Sequence, residues 1–137
     1  VTVFVDTSAF YALLDGDDDN NPAAAAEWER ILGAEISLVT TAFVLVETLA
    51  LLQHRIGLDA VQAFHEDVYP LLHVEWIGET DYEAGANAVL SAQRRDLSLV
   101  DCVSFVLMRR LGLRRVFAFD HHFGEQGFEC VPAPLRR

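Results

Sequence analysis

At 137 residues, 52% of them hydrophobic, the chain is long enough for one domain with one sizeable core and no more. All ten basic residues are Arg and the formal net charge is −11. Without a Lys the chain cannot hold nucleotide phosphates on a P-loop or form a Schiff base, and its acidity opposes any polyanion not met by bound cations or a local Arg patch.

Cys102 and Cys130 are too few for a disulfide framework and form no CxxC pair, which fits a reducing compartment. No run of about 18 apolar residues marks a membrane span. The apolar start also lacks the basic residues and cleavage site of a signal peptide, so the expected location is the cytoplasm.

Thr2 to Val5 reads as the central strand of an α/β sheet, because a continuous apolar run flanked by helix signals fits a strand buried on both faces. Asp6 then falls at its carboxyl end, where open α/β sheets bind their ligands. Asp6 has a second reading as the N-cap of the short helix predicted over Ser8 to Leu14. Asp15 to Asn21 is a polar loop in which Asp17, Asp18 and Asp19 read as a solvated run. Asn21 as N-cap, with Pro22 at the first helical position, opens a helix through Leu32 that Gly33 ends. Ile36 to Val39 is the next strand.

Thr40 or Thr41 then caps a helix running to Arg55. Phe43 to Leu52 is apolar on nearly every side except at Glu47, a pattern that predicts a buried helix. An ionised carboxylate buried there without a partner costs several kcal/mol, so Glu47 requires an Arg, a backbone group or a metal ion. Leu58 to Tyr69 reads as a helix with Val61, Phe64 and Val68 on one face, closed by Pro70, and His73 to Ile77 as a strand. Thr80 with Glu83 spells a capping box for a helix to Arg94. Arg94, Arg95 and Asp96 form a polar break. Ser98 to Leu111 is a helix ended by Gly112, Val116 to Phe119 and Phe128 to Val131 are strands, and 132–137, with Arg136 and Arg137, is a short tail. Strands alternating with helices predict a single α/β domain over 1–137, with a mostly parallel sheet covered on both faces.

Asp101 lies in the first turn of its helix, where Ser98 and Asp101 spell a capping box. Asp120 repeats the placement of Asp6, ending a strand before His121, His122 and Phe123. Two acids at strand ends, one in a first turn and one in a helix can meet in one pocket, and four clustered carboxylates cannot all ionise without cations. Such a set suits a hard, oxygen-loving ion, Mg²⁺ with Mn²⁺ as substitute. Zinc fits poorly, since the His and Cys residues show no tight ligand spacing apart from the adjacent His pair, and each His is read as structural or surface. Carboxylate-held Mg²⁺ favours hydrolysis of a phosphodiester.

Val3, Phe4, Val5, Asp6, Thr7, Ser8, Ala9 resembles the opening of PIN-domain ribonucleases. So do the lone helical Glu47, the segment Leu97, Ser98, Leu99, Val100, Asp101 and the ending Phe119, Asp120, His121, His122, Phe123. The four motifs stand in register over nearly the whole chain, and the size is that of the VapC-type toxins of toxin-antitoxin pairs. The resemblance implies a PIN-like three-layer sandwich with a five-stranded parallel sheet, Mg²⁺- or Mn²⁺-dependent cleavage of RNA, homodimers, and inhibition by a cognate antitoxin. Carried over by position, Asp6, Glu47, Asp101 and Asp120 are the metal-binding catalytic acids, with Ser8 supporting Asp6. Many relatives have Thr or Ser two residues before the last acid; here that residue is Ala118. Arg94, Arg95, Arg109, Arg110, Arg114 and Arg115 supply either a local RNA-facing patch or solvated helix faces.

Aspartyl-phosphate chemistry also uses an Asp after the first strand, but it depends on a Lys that this chain lacks. The remaining alternative is a non-catalytic binding or scaffolding module, in which Asp6 and Asp101 only cap helices.

Overall fold

The computed structural model describes residues 1–134; Leu135, Arg136 and Arg137, the end of the expected tail, lie outside the described residues. Five strands, β1 (Thr2–Val5), β2 (Ser37–Thr41), β3 (Leu72–Glu75), β4 (Arg115–Phe117) and β5 (Glu129–Val131), form one sheet in the order β3-β2-β1-β4-β5. Every pairing is parallel, so the sheet is wholly rather than mostly parallel, and β1 is its centre. Neighbouring residues of a strand point to opposite faces, and Val3, Phe4 and Val5 are all at most 1% exposed, so both faces of β1 are covered.

The covering helices are α1 (Thr7–Leu14), α2 (Asn21–Gly33), α3 (Ala42–Arg55), α4 (Leu58–Ala63), α5 (Glu79–Ala92), α6 (Leu99–Leu111) and the short α7 (His122–Glu125). Aromatic pairs fix two of the contacts. Phe10 of α1 meets Phe64 edge to face at 5.0 Å, and Phe105 of α6 meets Phe123 of α7 in the same way at 5.0 Å. None of these helices is long and apolar enough to cross a membrane among the described residues.

Several expected elements differ in detail. The helix carrying Glu47 is not buried all round, since Val46 is 69% exposed. Its apolar outer residues face away from the sheet, and composition alone does not distinguish that surface from core. Thr41 is its N-cap, accepting from the Val44 N–H.

Asn21 does not cap α2. Its amide instead donates to the carbonyls of Ala12 and Leu13, closing the end of α1, and Asn20 takes the N-cap position without a side-chain bond. No capping box forms at Thr80 and Glu83, because α5 already starts at Glu79 behind Gly78. The helix expected from Leu58 to Tyr69 widens into a π turn at Phe64–Val68 and tightens into a 3₁₀ turn at Tyr69–Leu71, which takes in Pro70.

Candidate active site

The carboxyl ends of β1 and β4 lie side by side, and the Asp6 N–H donates to the Phe117 carbonyl at 3.1 Å. Asp6 is the N-cap of α1 with an extended backbone, and its Oδ2 accepts both the Ser8 N–H (3.1 Å) and the Ser8 hydroxyl (2.7 Å). Ser8 Oγ in turn accepts the Phe119 N–H at 2.9 Å. Asp6 is only 3% exposed, and burial lifts its carboxyl from 3.8 to about 7; the two Ser8 bonds oppose the rise, while Asp101 and Asp120 add to it.

Asp101 is the third residue of α6 and completes the capping box. The Ser98 hydroxyl accepts the Asp101 N–H, and Asp101 Oδ2 accepts the Ser98 N–H, each at 3.1 Å. Burial raises the Asp101 carboxyl, the Ser98 bonds oppose this, and Asp120 adds to the rise. Capping and ligation are therefore compatible at both acids, because in each the bonds fall on one carboxylate oxygen and, among the described residues, leave the other without a hydrogen bond.

Glu47 projects from the half-buried side of α3. Burial raises its carboxyl, with the Thr7 hydroxyl acting the other way and Asp101 and Asp120 adding to it. Among the described residues no Arg forms an ion pair with Glu47, so one of the partners its sequence context calls for is missing. Asp120 lies beyond β4, with its Oδ1 accepting the His122 N–H at 2.9 Å. Ala118 offers it no side-chain bond.

The donor atoms of Asp101, Asp120 and His122 lie within 4.8 Å of one another. Among the described residues Asp6 and Glu47 join no such tight trio, although both carboxylates sense the charges of Asp101 and Asp120. His122, read from the sequence as a structural or surface residue, is 7% exposed and lies against the site. The sequence marked it only as half of the adjacent His pair. Burial disfavours its charge, yet Asp96 and Asp120 together hold its pKa above the ordinary value. Its Nε2 is 3.1 Å from Asp96 Oδ2. Arg94 grips that Asp96 carboxylate through Nε (3.1 Å) and a terminal nitrogen (2.7 Å), and with His122 keeps it well below the usual range.

The arginines proposed as an RNA-facing patch are largely engaged. Arg94 also bonds Glu125, Arg110 bonds Asp81, Arg115 bonds Glu129, and Arg109 bonds Gln126 while stacking on Phe128. A hollow of about 670 Å³ lies at the amino ends of β1 and β4 around Thr2 and Arg115, away from the carboxylates. Another, about 430 Å³, opens beside Asp120 between Ala118, Phe119, Cys130 and Pro132.

The chain belongs to the PIN-domain family: its sequence matches the PIN domain over residues 3–129. Over 127 residues it is 32% identical to the 23S rRNA-specific endonuclease VapC20 of Mycobacterium tuberculosis, covering 92% of this chain and 95% of that protein. The crystal structure of VapC20, described as a sarcin-ricin loop cleaving toxin, is similar at a TM-score of 0.79 and 31% identity, covering 93% of this chain and 96% of that one. FitAcB from Neisseria gonorrhoeae shares the fold at a TM-score of 0.68 and 12% identity, over 94% of this chain and 96% of that one.

Proposed function

We propose that the chain is a metal-dependent endoribonuclease that hydrolyses RNA phosphodiester bonds and acts as the toxin of a type II toxin-antitoxin pair. Asp6, Glu47, Asp101 and Asp120 are its metal-binding and catalytic acids, and Ser8 supports Asp6. The observation that carries this reading is a group of carboxylates at the carboxyl edge of a PIN-domain sheet, three of them pushed upward by burial and mutual charge with no Arg among the described residues paired to any of them. A divalent cation is the partner that such a donor set fits. The alternative of a non-catalytic module explains the caps at Asp6 and Asp101 but not the half-buried Glu47, which caps nothing and whose carboxyl is raised by burial.

The chain's own residues prepare the site. Ser8 and Ser98 each fix one oxygen of an acid and leave the other for a ligand, so little rotamer freedom remains to be lost on binding. Asp6, whose carboxyl burial lifts to about 7, would release its proton on binding a cation. Held by these acids, Mg²⁺ or Mn²⁺ would supply a bound water of lowered pKa and neutralise charge on the leaving oxygen. On a chain of net charge −11 the same cations offset repulsion of the RNA.

The substrate class follows the relative: VapC20 is a 23S rRNA-specific endonuclease, which makes a structured rRNA loop the first RNA to test. The proposal extends to a cognate antitoxin and a homodimer in the cytoplasm. Val46 and Leu58, each 69% exposed on α3 and α4, offer apolar surface of the kind both contacts would cover.

The experiment is cleavage of a sarcin-ricin loop RNA by the purified chain with Mg²⁺ or Mn²⁺, with EDTA, and with Asp6→Asn. Cutting that needs both the metal and Asp6 is expected. Absence of cutting by a folded, partner-free sample on this and on total rRNA would return the reading to a binding module.

A further inference from the structure

We propose that His122 is a metal ligand: its Nδ1, with one carboxylate oxygen each from Asp101 and Asp120, forms a mixed nitrogen and oxygen site that takes Mn²⁺ in preference to Mg²⁺. The inference rests on the metal-dependent reading above and adds to it a ligand outside the four acids.

The geometry at His122 leaves Nδ1 without another use. Asp96 holds two bonds from the Arg94 guanidinium, so it stands as a carboxylate, an acceptor only. The ring nitrogen 3.1 Å from it, Nε2, therefore carries hydrogen. In the neutral ring the lone pair then sits on Nδ1, and a metal ion bound there would displace any proton that nitrogen holds.

Nδ1 lies 2.7 Å from Asp120 Oδ1, out of line for a hydrogen bond, and it is the one fully buried side-chain nitrogen or oxygen without a hydrogen-bond partner among the described residues. The out-of-line geometry leaves a ring proton poorly placed between the imidazole nitrogen and the carboxylate oxygen, whereas a cation against both would satisfy both. The Asp101 donor atom completes a trio within 4.8 Å, a span that one ion can bridge.

A carboxylate fixing the far nitrogen of a histidine whose near nitrogen binds metal is the usual way proteins orient an imidazole ligand. Here the orienting chain runs Arg94, Asp96, His122. Carboxylates and water suit Mg²⁺ and Mn²⁺ alike, whereas an imidazole nitrogen favours the transition metal.

The test is pulsed electron paramagnetic resonance of Mn²⁺ bound to the full chain, with Mn²⁺ and Mg²⁺ affinities measured alongside. Nitrogen coupling to Mn²⁺ is expected in the wild type and in His121→Gln, and its loss in His122→Gln. Mn²⁺ binding should weaken about 10- to 100-fold in His122→Gln and in Asp96→Asn, while Mg²⁺ binding changes much less. If His122→Gln does not fold, the wild-type spectrum decides alone. Mn²⁺ bound without nitrogen coupling, or coupling that follows His121, overturns the assignment and leaves the nuclease reading standing. No Mn²⁺ binding at all overturns both.

Discussion

The Ser8 hydroxyl accepts the Phe119 N–H at 2.9 Å, joining the first turn of α1 to the segment that leaves β4, 111 residues away in sequence. The same oxygen donates to Asp6 Oδ2 at 2.7 Å, so one small side chain ties together the carboxyl ends of both central strands. Ser8→Ala leaves a part-buried N–H without its partner and removes one of two bonds from Asp6. The expected cost is roughly 1–3 kcal/mol of stability, read as a lower midpoint in urea or heat. Because that bond lowers the Asp6 pKa, its loss should also move metal binding to higher pH. An unchanged midpoint and an unchanged pH profile would assign the hydroxyl no such role.

Asp6 links the site to the stability of the metal-free protein. Its carboxyl binds a proton more tightly in the folded state, near 7, than at its ordinary 3.8. Its contribution is therefore complete below about pH 4 and is lost as pH rises toward 7. At about 1.4 kcal/mol per pH unit between the two values, the full span is on the order of 4 kcal/mol. Asp6→Asn keeps an oxygen for both Ser8 bonds and removes the charge. With EDTA present, the variant should match the wild type near pH 4 and be the more stable of the two at pH 8. Saturating Mn²⁺ should reverse that order, since only the wild type retains the full ligand set. A stability difference independent of pH would remove the basis for a strained Asp6.

The sequence made the sheet, its centre at β1 and the strand-end places of Asp6 and Asp120 legible because each rests on a local signal: an apolar run followed by an acid. Ser98 was equally legible as a cap, and with it the first-turn place of Asp101, while the cap of α3 was narrowed to Thr40 or Thr41 and is Thr41. Asn21 was not, because its amide serves the end of the preceding helix rather than the start of its own, and the two uses look alike in sequence. The outward face of α3 was hidden for a related reason: apolar residues at the surface have the same composition as core. His122 was the largest omission at the site. Its place depends on Arg94 and Asp96, more than two dozen residues upstream, and no spacing rule connects them.

Asp101 carries a structural and a chemical role at once, and two substitutions separate them. Asp101→Asn retains an oxygen able to accept the Ser98 N–H, whereas Asp101→Ala removes half of the capping box. Both should abolish metal-dependent cleavage. Only the alanine variant should also lose stability, by about 0.5–2 kcal/mol, in denaturant titrations with EDTA present. If Asp101→Asn cleaves RNA at the wild-type rate, Asp101 is a cap and nothing more.

The position of Asp101 also depends on how α6 sits against α5. Gly85 of α5 is buried, and a Cβ added there would fall inside contact distance of Val103 Cγ2 and close to the Val103 backbone nitrogen. Val103 is fully buried and β-branched, so its side chain cannot swing away freely. Gly85→Ala gains about 1 kcal/mol of helix propensity against an overpacking cost of roughly 1–3 kcal/mol, and net destabilisation is expected. Val103 lies two residues beyond Asp101, so relief by shifting α6 would displace the carboxylate and weaken Mn²⁺ binding as well. Val103→Ala makes room, and the double variant should be more stable than the sum of the single changes predicts. Strict additivity would mean that the two helices separate without strain at this crossing, and that the small residue at 85 does not set the position of Asp101.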